Sequence, residues 1–271
     1  MKEIVRKYPV TFSVIAVFVI LITRLGVQYI VDPFGVSQLN PNGLLLSGSL
    51  NIIFTLPIMI MLSLVLGENG FKFTFSIKGF KSGMYALLPF LLAIFVIALG
   101  ILIAFEMNRE FLLSVLPALV FFEFTIGIAE ESLFRGLFLV PMLIRWSGSE
   151  RGRLGCVLVS GTVFGALHMV NIVIGADVSA TLASSLAASV VGVAFAAALL
   201  RSKNLLSCIV IHAIWNITVK SANALTLYTP PLISSILDLL MLAMPIFAVN
   251  LALRSKPFVK DGNTRSGRPT M

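Results

Sequence analysis

Apolar residues run along this chain in stretches of about twenty, and the short breaks between them carry nearly all of its charge. A helix needs roughly 20 mainly apolar residues to cross the hydrocarbon core of a bilayer. On that measure the pattern predicts spans at residues 10–31, 44–66, 84–105, 111–144, 154–174, 180–200, 205–222 and 232–253. The fourth stretch is too long for one straight crossing, and Pro117 and Pro141 offer break points for a bent or tilted helix. The expected fold is all-α: a polytopic transmembrane helix bundle of about eight spans. It forms one membrane domain over residues 1–255, followed by a basic, disordered tail at 256–271.

Composition strengthens that picture. Of 271 residues 58% are apolar and 12% charged, with a mean hydropathy of +1.01. A soluble domain carries about a quarter charged residues. The net charge of +8 is spread over breaks and tail instead of one face, so it does not point to nucleic acid. Lys2, Arg6 and Lys7 precede the first stretch, and Lys72, Lys78 and Lys81 lie between the second and third. Arg145, Arg151 and Arg153 follow the fourth, Arg201 and Lys203 the sixth, and basic residues recur from Arg254 to Arg268. The alternate breaks hold only Arg109 and Lys220. Such an asymmetry is the positive-inside pattern, which puts both termini in the cytoplasm. Tyr8, Tyr29, Tyr85 and Tyr228 fall near span ends, as an aromatic belt requires. No small-residue cleavage site follows the first apolar run, which Arg24 and Gln28 interrupt, so it reads as a retained span. Cys156 and Cys208 lie inside apolar runs and form neither a disulfide framework nor a cysteine metal site.

Against this background a few polar groups stand where a lipid-buried helix has none. Glu130, Glu131 and Arg135 occur in AEESLFRG, His168 in FGALHMVN, and His212 with Asn216 in IHAIWN. An ionisable group at membrane depth costs at least a few kcal/mol, so together they mark a candidate site. Glu131 and Arg135 are four apart with the acid first, the favoured order for a helical ion pair. Glu130 is then turned about 100° away and is the carboxylate available for proton transfer. His212 and Asn216, also four apart, present an imidazole and an amide suited to donating to one oxyanion. At 1.5 Å per residue, Glu130, His168 and His212 lie roughly 12 to 22 Å below the inner surface and can converge in a cavity open to the cytoplasm. Two chemistries suit them. In one, Glu130 and His168 deprotonate a water that attacks a carbonyl, with His212 and Asn216 holding the oxyanion. In the other, Glu130, His168 and His212 bind zinc with an open position for water. The chain lacks HExxH, so zinc rests on residue types alone and the metal-free form is favoured.

The ordered set EESLFR, FGALH and HAIWN resembles the motifs EExxxR, FxxxH and HxxxN of the CAAX prenyl endopeptidase and bacteriocin-processing (CPBP, Abi) family of intramembrane proteases. The resemblance covers residues 121–218. It implies an intramembrane endopeptidase acting on a membrane-associated protein or peptide. A prenylated CAAX protein is one such substrate; a bacteriocin-type precursor and a membrane-bound regulator are others. Carried over, Glu130 is the water-activating residue with His168 as its partner, and His212 and Asn216 take the oxyanion role. Glu131 and Arg135 support them. The competing class is a non-catalytic transporter or immunity scaffold that uses the buried carboxylates as proton relay or binding site. Glu123, seven residues before Glu130 on the same helix face, reads more simply as a packing or helix-end group. So do Glu106 and Asp238, for which Arg24 is a candidate partner, and all three stay outside the expected site. Gly161, Gly165 and the small-residue stretch at 180–200 read as close helix packing. The aromatic and basic loop at 67–83 is expected along the inner interface.

Overall fold

A bilayer core offers no water to a backbone amide, so a chain this apolar must satisfy its amides internally, and it does so with helices. The computed structural model describes residues 7–31, 39–68, 77–104, 109–173, 175–224 and 231–258. It begins with α1 (Pro9–Val31), α2 (Pro41–Glu68), α3 (Ile77–Ala86), α4 (Leu88–Ala104) and α5 (Arg109–Glu131). A π-helical segment (Ser132–Leu139) leads into α6 (Val140–Trp146). Then come α7 (Glu150–His168), α8 (Val170–Val173), α9 (Val178–Ser202), α10 (Leu205–Ala224) and α11 (Pro231–Arg254). No strand occurs among the described residues. Helix covers most of each predicted span, with turns at Leu87 and Met169, while residues 105 and 174 lie outside the described residues. Five helical runs among the described residues are long and apolar enough to cross a membrane, or six if the bent α3–α4 pair counts as one.

That bent pair departs from the single straight span expected at 84–105. The two parts meet at 68°. Pro89 has no N–H for the carbonyl of Tyr85, so the hydrogen-bond ladder is interrupted and the chain turns at Leu87, between the two helices. Part of the expected interfacial loop is thus α3, while residues 69–76 lie outside the described residues. The fourth span differs too. It runs unbroken from Arg109 to Trp146, and its irregularity is the π segment between the two prolines, not a break at either. Pro141 stands just past that segment, where its ring excludes the ordinary approach of the Leu137 carbonyl. Ser13 of α1 donates its hydroxyl to the Phe138 carbonyl at 2.9 Å, bracing the widened turns from outside.

Close packing of α7 on α9 follows the small-residue pattern. A Cβ at Gly161 would stand 2.5 Å from the Val193 amide nitrogen, and one at Gly192 2.8 Å from the Gly161 Cα. Backbone meets backbone there. The π segment and residues 191–200 are buried throughout, whereas Leu102, Leu186, Leu242 and Ile246 point outward as a lipid-facing surface. At the end of the bundle near Ser147, two charges expected only to orient the chain also hold it together. Arg153 is buried and donates to the carbonyls of Ser147, Ala252 and Leu253 at 3.1 to 3.2 Å, closing the end of α11. Lys203, in left-handed backbone at φ 54°, caps α9 and donates from Nζ to the Phe258 carbonyl. The first residues of the expected tail therefore dock, with Phe258 buried; residues 259–271 lie outside the described residues.

Candidate active site

Glu130 and Glu131 end α5, and His212 projects from the middle of α10, which packs along it. Gly127 permits that approach: a Cβ there would stand 3.0 Å from the Ile209 carbonyl oxygen. Both carboxylates reach the one imidazole. His212 Nδ1 lies 2.9 Å from Glu131 Oε1, and Nε2 lies 3.7 Å from Glu130 Oε2. The expectation that Glu131 would belong to Arg135 and leave Glu130 apart is thus only half of the arrangement. Glu131 does pair with Arg135, Oε2 to Nε at 3.1 Å, both side chains fully buried. Its other oxygen holds the histidine.

Arg135 lies within the π segment, a helix type that recurs at functional sites. Its contact with Glu131 is a close ion pair without the alignment of a hydrogen bond, and among the described residues neither Nη atom has a hydrogen-bond partner. Aromatic faces meet the cation instead: its Cζ is 4.7 Å from the Phe164 ring and 5.6 Å from the Phe195 ring. Phe195 also stacks on His212 at 5.7 Å between centroids, tilted by 20°. Phe164 in turn touches both histidines edge-on, at 5.0 Å from His168 and 6.2 Å from His212. One phenylalanine therefore links the three motifs. His168 sits at the last turn of α7, with Nδ1 2.9 Å from the Phe164 carbonyl oxygen. A carbonyl only accepts, so Nδ1 carries the hydrogen and Nε2 the lone pair in the neutral ring.

Asn216 shares a helix face with His212 but engages a different carboxylate. Its Nδ2 donates to Glu123 Oε2 at 2.9 Å, and Glu123 Oε1 pairs with Lys220 Nζ. Glu123 is fully buried, so of the two simpler readings it is a packed interhelical group and not a helix-end charge. Lys220, counted above only as an outer charge, is its counter-ion. The signal was in the spacing: Glu123 and Glu130 are two turns apart on α5, while His212, Asn216 and Lys220 follow at one-turn intervals on α10. Asp238 is exposed, and the side chain of Arg24 and all of Glu106 lie outside the described residues.

The zinc set of Glu130, His168 and His212 is not assembled in this arrangement. Among the described residues no three His, Cys, Asp or Glu side chains form a group that could hold a metal ion. The Nδ1 atoms of both histidines already face the Phe164 carbonyl and Glu131. Those contacts leave Nε2 of each ring for another partner, an arrangement common to metal-binding and metal-free histidines, and no step below is routed through a metal.

Residues 110–218 match the family model described as type II CAAX prenyl endopeptidase Rce1-like. No curated protein and no solved structure matches the chain. The matched segment holds Glu123, Glu130, Glu131, Arg135, His168, His212 and Asn216 but not Lys220, and with its several long apolar helices the chain is an integral, multi-pass membrane protein. Over that segment the chain is similar to the Rce1-like family of type II CAAX prenyl endopeptidases.

Proposed function

We propose that this protein is an intramembrane endopeptidase that hydrolyses a peptide bond of a membrane-associated protein or peptide. A prenylated CAAX protein is the substrate class that the family description favours. The observation that carries the reading is a buried imidazole with a carboxylate at each nitrogen, His212 between Glu131 and Glu130. In this reading a water is held by Glu130 and by Nε2 of His168. Its oxygen attacks the peptide carbonyl carbon, its proton passes to Glu130, and that proton returns to the leaving amine nitrogen. Glu131 fixes the ring of His212. With Nδ1–H given to Glu131, the ring donates to an oxyanion from Nε2 only when doubly protonated. Asn216 supplies the second donor. Eight spans, cytoplasmic termini and a site open to the cytoplasm complete the reading, supported by the charge asymmetry of the breaks.

The test is cleavage of a fluorescence-quenched peptide bearing a farnesyl thioether on a cysteine three residues from its free C-terminus, with protein in lipid vesicles. Glu130→Gln and His168→Ala should each lower kcat by about 10² or more while thermal stability is kept. Wild-type cleavage rates in Glu130→Gln would overturn the assignment and favour the non-catalytic class. Chelator sensitivity with elemental analysis of active protein tests the metal-free form.

A further inference from the structure

Glu123 is a fully buried carboxylate that the water-activating group does not use, yet it is bonded to a residue of the oxyanion pair. An asparagine amide turns about its last torsion in a broad, two-fold well, so alone it is a poorly aimed donor. A carboxylate can only accept, so Glu123 selects the face of Asn216 that presents Nδ2. One N–H is then committed at 2.9 Å, and planarity fixes the direction of the other.

We propose that Glu123 is a positioning residue for catalysis: it locks the Asn216 amide so that its second N–H meets the developing oxyanion, while Lys220 neutralises the buried charge. Lys220 suits that part. Its side chain is 42% exposed, its Nζ reaches Glu123, and it lies 4.8 Å from the Phe122 ring, so it balances the carboxylate from the protein's edge without entering the site. The helical register enforces the layer: seven residues separate Glu123 from Glu130, about 10 Å along α5, and Asn216 and Lys220 follow His212 turn by turn. The inference rests on the endopeptidase reading for the role of Asn216, though the Glu123–Asn216 pairing stands apart from it.

The experiment combines kinetics on the farnesylated peptide with spectroscopy. Glu123→Leu should lower kcat about ten- to a hundred-fold with KM changed less than about twofold, because the lost donor acts in the transition state. Glu123→Gln, which keeps an acceptor for Nδ2, should restore most of the rate. In an Asn216→Ala background Glu123→Leu should cost nothing further. Additive losses, a change confined to KM, or a Gln variant as slow as Leu would overturn the proposal. The side-chain amide of Asn216 in 15N-asparagine-labelled protein, identified by its loss in Asn216→Ala, should shift in Glu123→Gln. An unmoved resonance overturns the pairing even if the Leu variant fails to fold. Should wild type cleave no peptide, the endopeptidase reading fails, and the resonance still decides on Glu123.

Discussion

Replacing Glu131 by leucine should be among the most damaging single changes in the chain, and most of the damage to stability should be reversible by a second substitution. Glu131 and Arg135 are both fully buried, 3.1 Å apart, and the second carboxylate oxygen accepts from His212 at 2.9 Å. Glu131→Leu leaves a buried guanidinium against the Phe164 and Phe195 faces, with no hydrogen-bond partner among the described residues. Breaking a buried pair from one side costs about 3–5 kcal/mol, and the stranded His212 donor adds about 1–3. At roughly 2–4 °C per kcal/mol for a chain of this size, thermal unfolding in detergent should move down by on the order of 10 °C or more. Glu131→Leu/Arg135→Met removes both charges at similar volume and should recover most of the pair's share, since a buried pair gains little net over apolar packing. Neither variant should cleave peptide, because His212 has lost its orienting oxygen. A single variant within about 1 kcal/mol of wild type, or a double variant no more stable than the single, would refute the buried-pair reasoning.

Other consequences are smaller. Gly161→Ala drives a methyl against the Val193 amide and the Ser189 carbonyl, so α7 and α9 must separate at about 1–3 kcal/mol, read by thermal unfolding; Gly155→Ala on the same helix, with nothing within 4 Å, should be neutral or stabilising. Arg153→Ala strips three carbonyls of their donors and should speed amide exchange at the end of α11 while leaving peptide cleavage intact; unchanged exchange there would contradict its capping role. Asp177, outside the spans, is held below the ordinary carboxylate range, first by the Ala180 amide and then by the Ser179 hydroxyl. Its stabilisation of the α9 start is therefore present above the unfolded carboxylate range and lost as pH falls through the depressed value, so protection of the amides at residues 178–181, taken relative to their intrinsic exchange rates, should fall in acid in wild type and not in Asp177→Asn.

Periodicity and charge alone establish that this is a helical membrane chain, because the bilayer leaves an apolar run no alternative to helix. They also single out Glu130, Glu131, Arg135, His168, His212 and Asn216, since an ionisable or amide side chain at depth needs a reason to be there. Pairing along one helix was legible too: Glu131 meets Arg135, and Phe164 meets His168, as four-residue spacing dictates. What spacing could not supply is which helix faces which. His212 could be tied to Glu131, and Asn216 to Glu123, only by the approach of α10 to α5 across Gly127. That approach converts an apparent helix-end glutamate into a buried partner of the site and an apparent outer lysine into its counter-ion. The bend at Pro89 and the π segment before Pro141 belong to the same class, because a proline permits a distortion while its neighbours decide its form. Sequence determined which groups must be satisfied within the membrane, and tertiary packing decided by whom, because buried polar groups find their partners across helices as well as along them.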